Sequence, residues 1–146
     1  MAKSVLRNAA IQVTVAGTAY NLSDHCSSVT LEDTSEEVDF TSFGSSNYRE
    51  FGQGMHDASI SADFFNDYVT GSVDSCLNAC YTSSTAFTVD VWPNTTTTSS
   101  TNPKFTLAAA RSYQYNPVAG AVGDANTVSG VVFKNAGTAG LTRATA

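Results

Sequence analysis

Few side chains in this sequence could do acid–base, nucleophilic or metal chemistry. They are Cys26, Cys76 and Cys80, His25 and His56, and an acidic run of Glu32, Asp33, Glu36, Glu37 and Asp39. Three cysteines cannot all pair within one chain. Cys76 and Cys80 stand four apart, on one face if their segment is helical. With His25 and His56 they could offer thiolate and imidazole to zinc, but no CxxC pair or HxxxH spacing is present. Free thiols are therefore the expectation, and no metal. Hydrolysis or phosphoryl transfer would need a GxSxG elbow, a phosphate-binding glycine loop or HExxH, and none is written here. Gly120 to Asp124 is too short for a phosphate cradle and reads as a turn. The acidic run lacks the ligand spacing of an EF-hand and reads as a solvated strand face. No catalytic residue and no cofactor are expected, and the chain is not read as an enzyme.

The elements that would carry these groups are mostly strands. Ser and Thr fill about a quarter of the 146 residues, charged residues only 14 %, and apolar residues 42 %, a balance suited to pleated surfaces. Ile11 to Val15 alternates apolar and polar, and Gly17 to Asp24 reads as a turn and a short strand. Strands follow at Ser28 to Leu31, Glu37 to Thr41, Ala58 to Phe64, Ala86 to Trp92, Lys104 to Tyr115 and Thr127 to Lys134. One helix is expected, from Gly71 to Tyr81: Val73, Leu77, Cys80 and Tyr81 fall at helical spacing, and Ser72, Asp74 and Ser75 suit its first turn. Pro93 to Pro103 is a solvated connector. The length suits one domain, 1–146, with a short arm at 1–10 and a flexible small-residue arm at 135–146. Net charge −6, with 7 Lys and Arg, argues against attraction to nucleic-acid phosphates. MAKSVLRNAA has no apolar run of signal-peptide length, and no stretch suits a membrane span, so a protein made in a cytoplasm is expected.

Between the strands ending at Thr41 and starting at Ala58 lies a long hairpin loop, 44–57. Its Gly, Ser and Asn are loop letters, yet it carries Tyr48, Phe51 and Met55, with Arg49, Glu50 and His56 beside them. Simple joining needs no such side chains. Aromatics and Met carry interface energy, so they read as contact residues, against the plainer reading of a self-packed Ω-loop. Simple alternation puts Val38 and Phe40 with Ile60, Ala62 and Phe64 on a core face. The other face would hold Glu37, Asp39, Thr41, Ser59, Ser61 and Asp63, acidic and hydroxylated without a cation.

A collinear series of short stretches resembles the major tail tube proteins of long-tailed, non-contractile bacteriophages, of the actinobacterial-phage type. They are Leu22-Ser-Asp-His25, Ser28-Val-Thr-Leu31, Glu36-Glu-Val-Asp39, Thr41-Ser-Phe-Gly44, Tyr48-Arg-Glu-Phe51, Gly54-Met-His-Asp-Ala-Ser-Ile60 and Gly71-Ser-Val-Asp74, then Tyr115-Asn-Pro-Val-Ala-Gly120, Val122-Gly-Asp124 and Asn135 to Arg143. The stretch Leu77 to Thr85 departs from the pattern by being less apolar. The resemblance implies a mainly β fold: two packed antiparallel sheets, as a sandwich or barrel, with one flanking helix and a long hairpin loop. It further implies homo-hexameric rings stacked into a helical tube in the virion tail, a conduit for DNA ejection. On this view Tyr48, Arg49, Glu50, Phe51, Met55 and His56 would contact the next ring, and the acidic, hydroxylated set would line the lumen. DNA would pass without specific binding. Tape measure, tail terminator and distal tail proteins would be partners, and no membrane would. The alternative is a monomeric or pentameric β-sandwich module, a capsid decoration or adhesin domain that binds host glycan.

Overall fold

A computed structural model describes residues 3–146. In chain order the elements are β1 (Ala10–Val15), β2 (Thr18–Asn21), β3 (Cys26–Asp39), β4 (Phe51–Phe65), α1 (Val73–Thr82), β5 (Phe87–Trp92), β6 (Lys104–Arg111), β7 (Thr127–Asn135) and β8 (Leu141–Ala144). Every pairing is antiparallel. The fold is mainly β with one flanking helix, as expected. Its strands run in one hydrogen-bonded path, β2-β1-β5-β6-β7-β4-β3, with β8 added to β6. The path curls, because the rings of Phe87 on β5 and Phe133 on β7 meet edge to face at 5.7 Å although β6 lies between their strands. The halves therefore face each other across one core.

Local chemistry explains the joints. β1 and β2 pair Val15 with Thr18, leaving a two-residue turn, Ala16-Gly17, with φ of 50° and 82°. Two positive φ values define the turn whose twist matches a β-hairpin, and Gly17 adopts its value freely. Where β4 meets β7, an extra residue on β7 between Val128 and Val131 interrupts the register. Gly130 there has φ 70°, and its N–H donates to Asp63 Oδ1 at 2.7 Å. Asp63 thus satisfies an amide that the bulge removes from the ladder.

The core follows the alternation. Ile11, Val13 and Val15, then Ala58, Ile60, Ala62 and Phe64, then Phe87, Val89 and Val91 are buried. Val73, Cys76, Leu77 and Cys80 close it from α1, at the spacing of one helical face. Ser72 does not cap the helix with its side chain; its hydroxyl donates to Asp67 at 2.9 Å instead. The Asp74 carboxylate accepts from Tyr115 Oη at 2.6 Å, and that bond pushes the phenol up to about 12.

The expected strands Ser28 to Leu31 and Glu37 to Thr41 are one strand, β3, and two boundaries in the second half of the chain also differ from the sequence reading. The expected flexible arm at 135–146 contains β8, which pairs Leu141 to Ala144 with Leu107 to Lys104 of the same chain. Small residues fit there because Ala109 Cβ lies against Gly137. Lys104 to Tyr115 is also shorter as a strand, ending at Arg111, after which Tyr115 turns to α1.

Cys76 and Cys80 are buried, whereas Cys26 is partly exposed. A hydrogen bond to Cys76 and burial push the Cys80 thiol up; burial also raises Cys26. Buried, protonated thiols are inert. Thiol titration of native protein is expected to find Cys26 reacting slowly and Cys76 and Cys80 silent, with three thiols on denaturation. Fast reaction at all three positions would contradict the packing of α1.

Candidate assembly interface

β4 loses its partner β7 beyond the pair Ser59–Lys134, whereas β3 continues along it to the pair Asp39–Phe51. Past that point the sheet is a two-stranded ribbon. From Glu32 to Asp39 every residue except Val38 is exposed. This corrects the placement of Val38 and Phe40 in the core. Phe40 is 62 % exposed, because the opposing layer does not reach so far. A bare hairpin of this kind is marginal alone in water.

Phe40 to Glu50 forms the loop at the tip, so the boundary 44–57 is corrected: Phe51, Met55 and His56 are strand residues. Polar groups hold the loop to itself. Phe40 N–H donates to Glu50 O at 2.8 Å and Glu50 N–H to Thr41 Oγ1 at 2.9 Å. Thr41 N–H donates to Asp39 Oδ1 at 2.8 Å, and hydrogen bonding with Thr41 holds the Asp39 carboxyl below the usual range. Ser45 Oγ accepts from Ser42 N–H and donates to Glu50 Oε2 at 2.9 Å. Asp39, Thr41 and Glu50 therefore brace the loop.

With its polar groups turned inward to one another, the loop leaves its large apolar side chains outside. Tyr48 and Met55 are each 84 % exposed, Phe43 is fully exposed, and Phe51 is half exposed. The Arg49 guanidinium lies 5.9 Å from the Phe51 ring centre, within cation–π range. Met55 and His56 turn toward a groove between the ribbon and the turn Asn135 to Leu141. Phe43 was missing from the contact set read from sequence, although an aromatic between Ser42 and Gly44 was the same signal that singled out Tyr48.

The expected polar face is split. Thr30, Glu32 and Thr34 stand opposite Ser61, Ser59 and Asp57. Between the pairs Ser35–His56 and Glu37–Gln53, β3 advances two residues and β4 three. The extra residue reverses the facing of β4 beyond it. Side-chain contacts agree: a Cβ at Gly52 would meet Phe40, and one at Gly54 would meet Val38 and Glu36. Glu36, Val38 and Phe40 thus continue the face that bears Ser59 and Ser61, while Glu37 and Asp39 lie on the other. Asp63 is on the Ser59 side of β4, but bound to Gly130. A simple alternation count cannot see a bulge. Both ribbon faces remain free of Lys and Arg, for none stands between Asn8 and Tyr48 or between Glu50 and Pro103.

Among the described residues no group of three or more His, Cys, Asp and Glu side chains comes together, and no helix is long and apolar enough to cross a membrane. The geometry defines a mainly β domain with a protruding ribbon, a shape that presents exposed surface. The chain matches no protein-family model and no curated protein. Its fold, however, is shared with subunits of large particles. A chain from the virion of a native gene transfer agent particle superposes with TM-score 0.59 at 18 % identity, over 90 % of this chain and 95 % of that one. A chain from the 6-fold symmetrised anti-feeding prophage baseplate superposes with TM-score 0.56 at 11 % identity, over 98 % and 93 %.

Proposed function

We propose that this chain is a non-enzymatic structural protein of a phage tail and builds its tube: six copies close a ring, and rings stack into a conduit for DNA. The observation that carries this reading is the ribbon of Glu32–Asp39 and Phe51–Asp57, largely exposed and tipped with Phe43 and Tyr48. A monomer gains nothing from exposing so much apolar surface at the end of a marginal hairpin; a subunit that stacks uses it. The fold likeness to chains of a virion and a baseplate supports the same reading. So does the resemblance of short stretches along the whole sequence.

In the tube, the face bearing Thr30, Glu32, Ser59 and Ser61 lines the bore. Phosphate contacts need Lys and Arg; on this face Lys134 stands cross-strand from Ser59, and the ribbon beyond that pair carries no Lys or Arg, which keeps its hold on DNA weak. Tape measure, terminator and distal tail proteins are the partners such a tube requires at its axis and ends. Electron microscopy of the purified protein tests the reading: hollow tubes or rings are expected, with Glu32 and Ser59 on the inner wall in a reconstruction. Discrete particles that bind glycan would support the adhesin alternative, and Glu32 on the outer wall would sink the bore assignment alone.

A further inference from the structure

Residues 3–9 form neither strand nor helix, yet they lie beside an open sheet edge. β3 is last in the strand path, so one side of its backbone has no neighbour. Ala9 and Ala10 border a small groove with Cys26 and Ser27, at the start of β3. Leu6 borders a second groove, of about 270 Å³, with Val29 and Leu31 further along that strand. Followed backwards from Ala10, the segment therefore advances with β3 from Cys26 towards Leu31. That is the direction of an antiparallel neighbour. Its C-terminal end is pinned, because Asn8 O accepts from Thr95 N–H at 2.9 Å.

The second groove opens between the two layers. Val29 and Leu31 of β3 form one wall, and Val91 and Trp92 of β5 with Phe105 of β6 form the other. Both walls are apolar. Leu6 stands only at the rim, 61 % exposed, and Val5 beside it is 72 % exposed. Charge adds to the match. Lys3 and Arg7 are two of the three Lys and Arg before Pro103, and among the described residues neither has a carboxylate partner. β3 carries Glu32 and Asp33 just beyond Leu31, both exposed.

From these placements we propose that residues 3–6 close onto β3 as an added strand, a cap that the free chain supplies to its own edge. Directly opposite residues of an antiparallel pair share a face, so Leu6 opposite Val29 points into the groove. The same register sets Lys3 opposite Glu32. Leu6 gains burial, the backbone gains ladder bonds, and the ammonium meets a carboxylate. Four residues suffice, as many as β2 or β8 uses. The cap covers β3 from Val29 to Glu32 and leaves Asp33 to Asp39 open. It keeps the covered stretch from pairing with a foreign strand, and any partner that takes this edge must first displace it. The cap serves a lone subunit, whether or not the chain builds a tube.

Amide hydrogen exchange of the purified full chain tests the cap, at a concentration where sedimentation finds a monomer. Amides of β3 that point away from β4 between Val29 and Glu32 should exchange at least about tenfold more slowly in the parent than in Leu6→Ser, the scale of one lost hydrogen bond. Lys3→Glu should lose the same protection by setting two carboxylates opposite each other, and Lys3→Glu with Glu32→Lys should regain it. All these variants should keep the parent's circular dichroism, since none of the three side chains belongs to the core. Equal exchange in the parent and Leu6→Ser would overturn the cap. Protection lost in Lys3→Glu and not regained in the double variant would overturn the register that pairs Lys3 with Glu32. Protection that fades on dilution would give the edge to a second copy and overturn the self-cap.

Discussion

Replacing Phe43, Tyr48 and Met55 together with Ser is expected to leave a folded, β-rich subunit that no longer builds long tubes. All three side chains project from the ribbon, so the isolated subunit loses no packing when they are shortened. Burying one such side chain contributes roughly 1.5–3 kcal/mol, and the proposed ring would offer six copies of each contact. The loss therefore multiplies across a stacking joint. The Ser42–Ser45–Glu50 network keeps the loop closed in the variant, so the comparison isolates the anchors from the loop's shape. Circular dichroism and thermal unfolding should match the parent, whereas pelletable tubes should vanish. Tubes of normal length would remove the tip from the stacking joint.

Phe64→Ala is expected to have the opposite signature. Phe64 is fully buried on β4, two residues from the bulge at Gly130, within the cluster that joins β1, β5, β7 and α1. Truncating a buried Phe costs about 3–5 kcal/mol through lost transfer energy and a residual cavity. Against a total of about 5–15 kcal/mol for a domain, that approaches the whole margin. The midpoint in urea should fall sharply, and expression should drop. A shift below about 1 kcal/mol would mean that the layers do not pack on Phe64.

How much of this was legible in sequence varies with the kind of signal. Alternation found β1, β5 and the inner half of β4, because Ile11, Val13, Ile60 and Phe64 lie under a second layer. Helical spacing found α1. Beyond Ala58 the same alternation misled, since Val38 and Phe40 look like core when only a ribbon is present. Nor could a period of two register the extra residue between Gln53 and His56, and so Glu37 and Asp39 were placed with Ser59 and Ser61. Asn135 to Ala146 hid a strand because β8 is four residues long and Leu141 is its one large apolar side chain, too little for a period to announce. The aromatic tip was legible by residue type alone. What it would touch was not, because a contact with another molecule leaves no pattern inside one chain.

The outer edge of β3 has a cost that no assembled particle reveals. It presents up to 14 residues of backbone to water with no neighbouring strand, and unpaired edges of this length template fibrils. What restrains the free subunit is the row of carboxylates at Glu32, Asp33, Glu36, Glu37 and Asp39, which repel a second edge. Carboxylates lose their charge on acidification, mostly near pH 4, and the sequence pI of about 4.5 removes the net charge in the same range. Hydrogen bonding with Thr41 holds the Asp39 carboxyl below its ordinary value, so that charge persists further into acid than a free aspartate's would. Brought slowly to that pH, unassembled protein should pass into cross-β aggregate before its core melts, and shelf storage of the subunit is safest well above it.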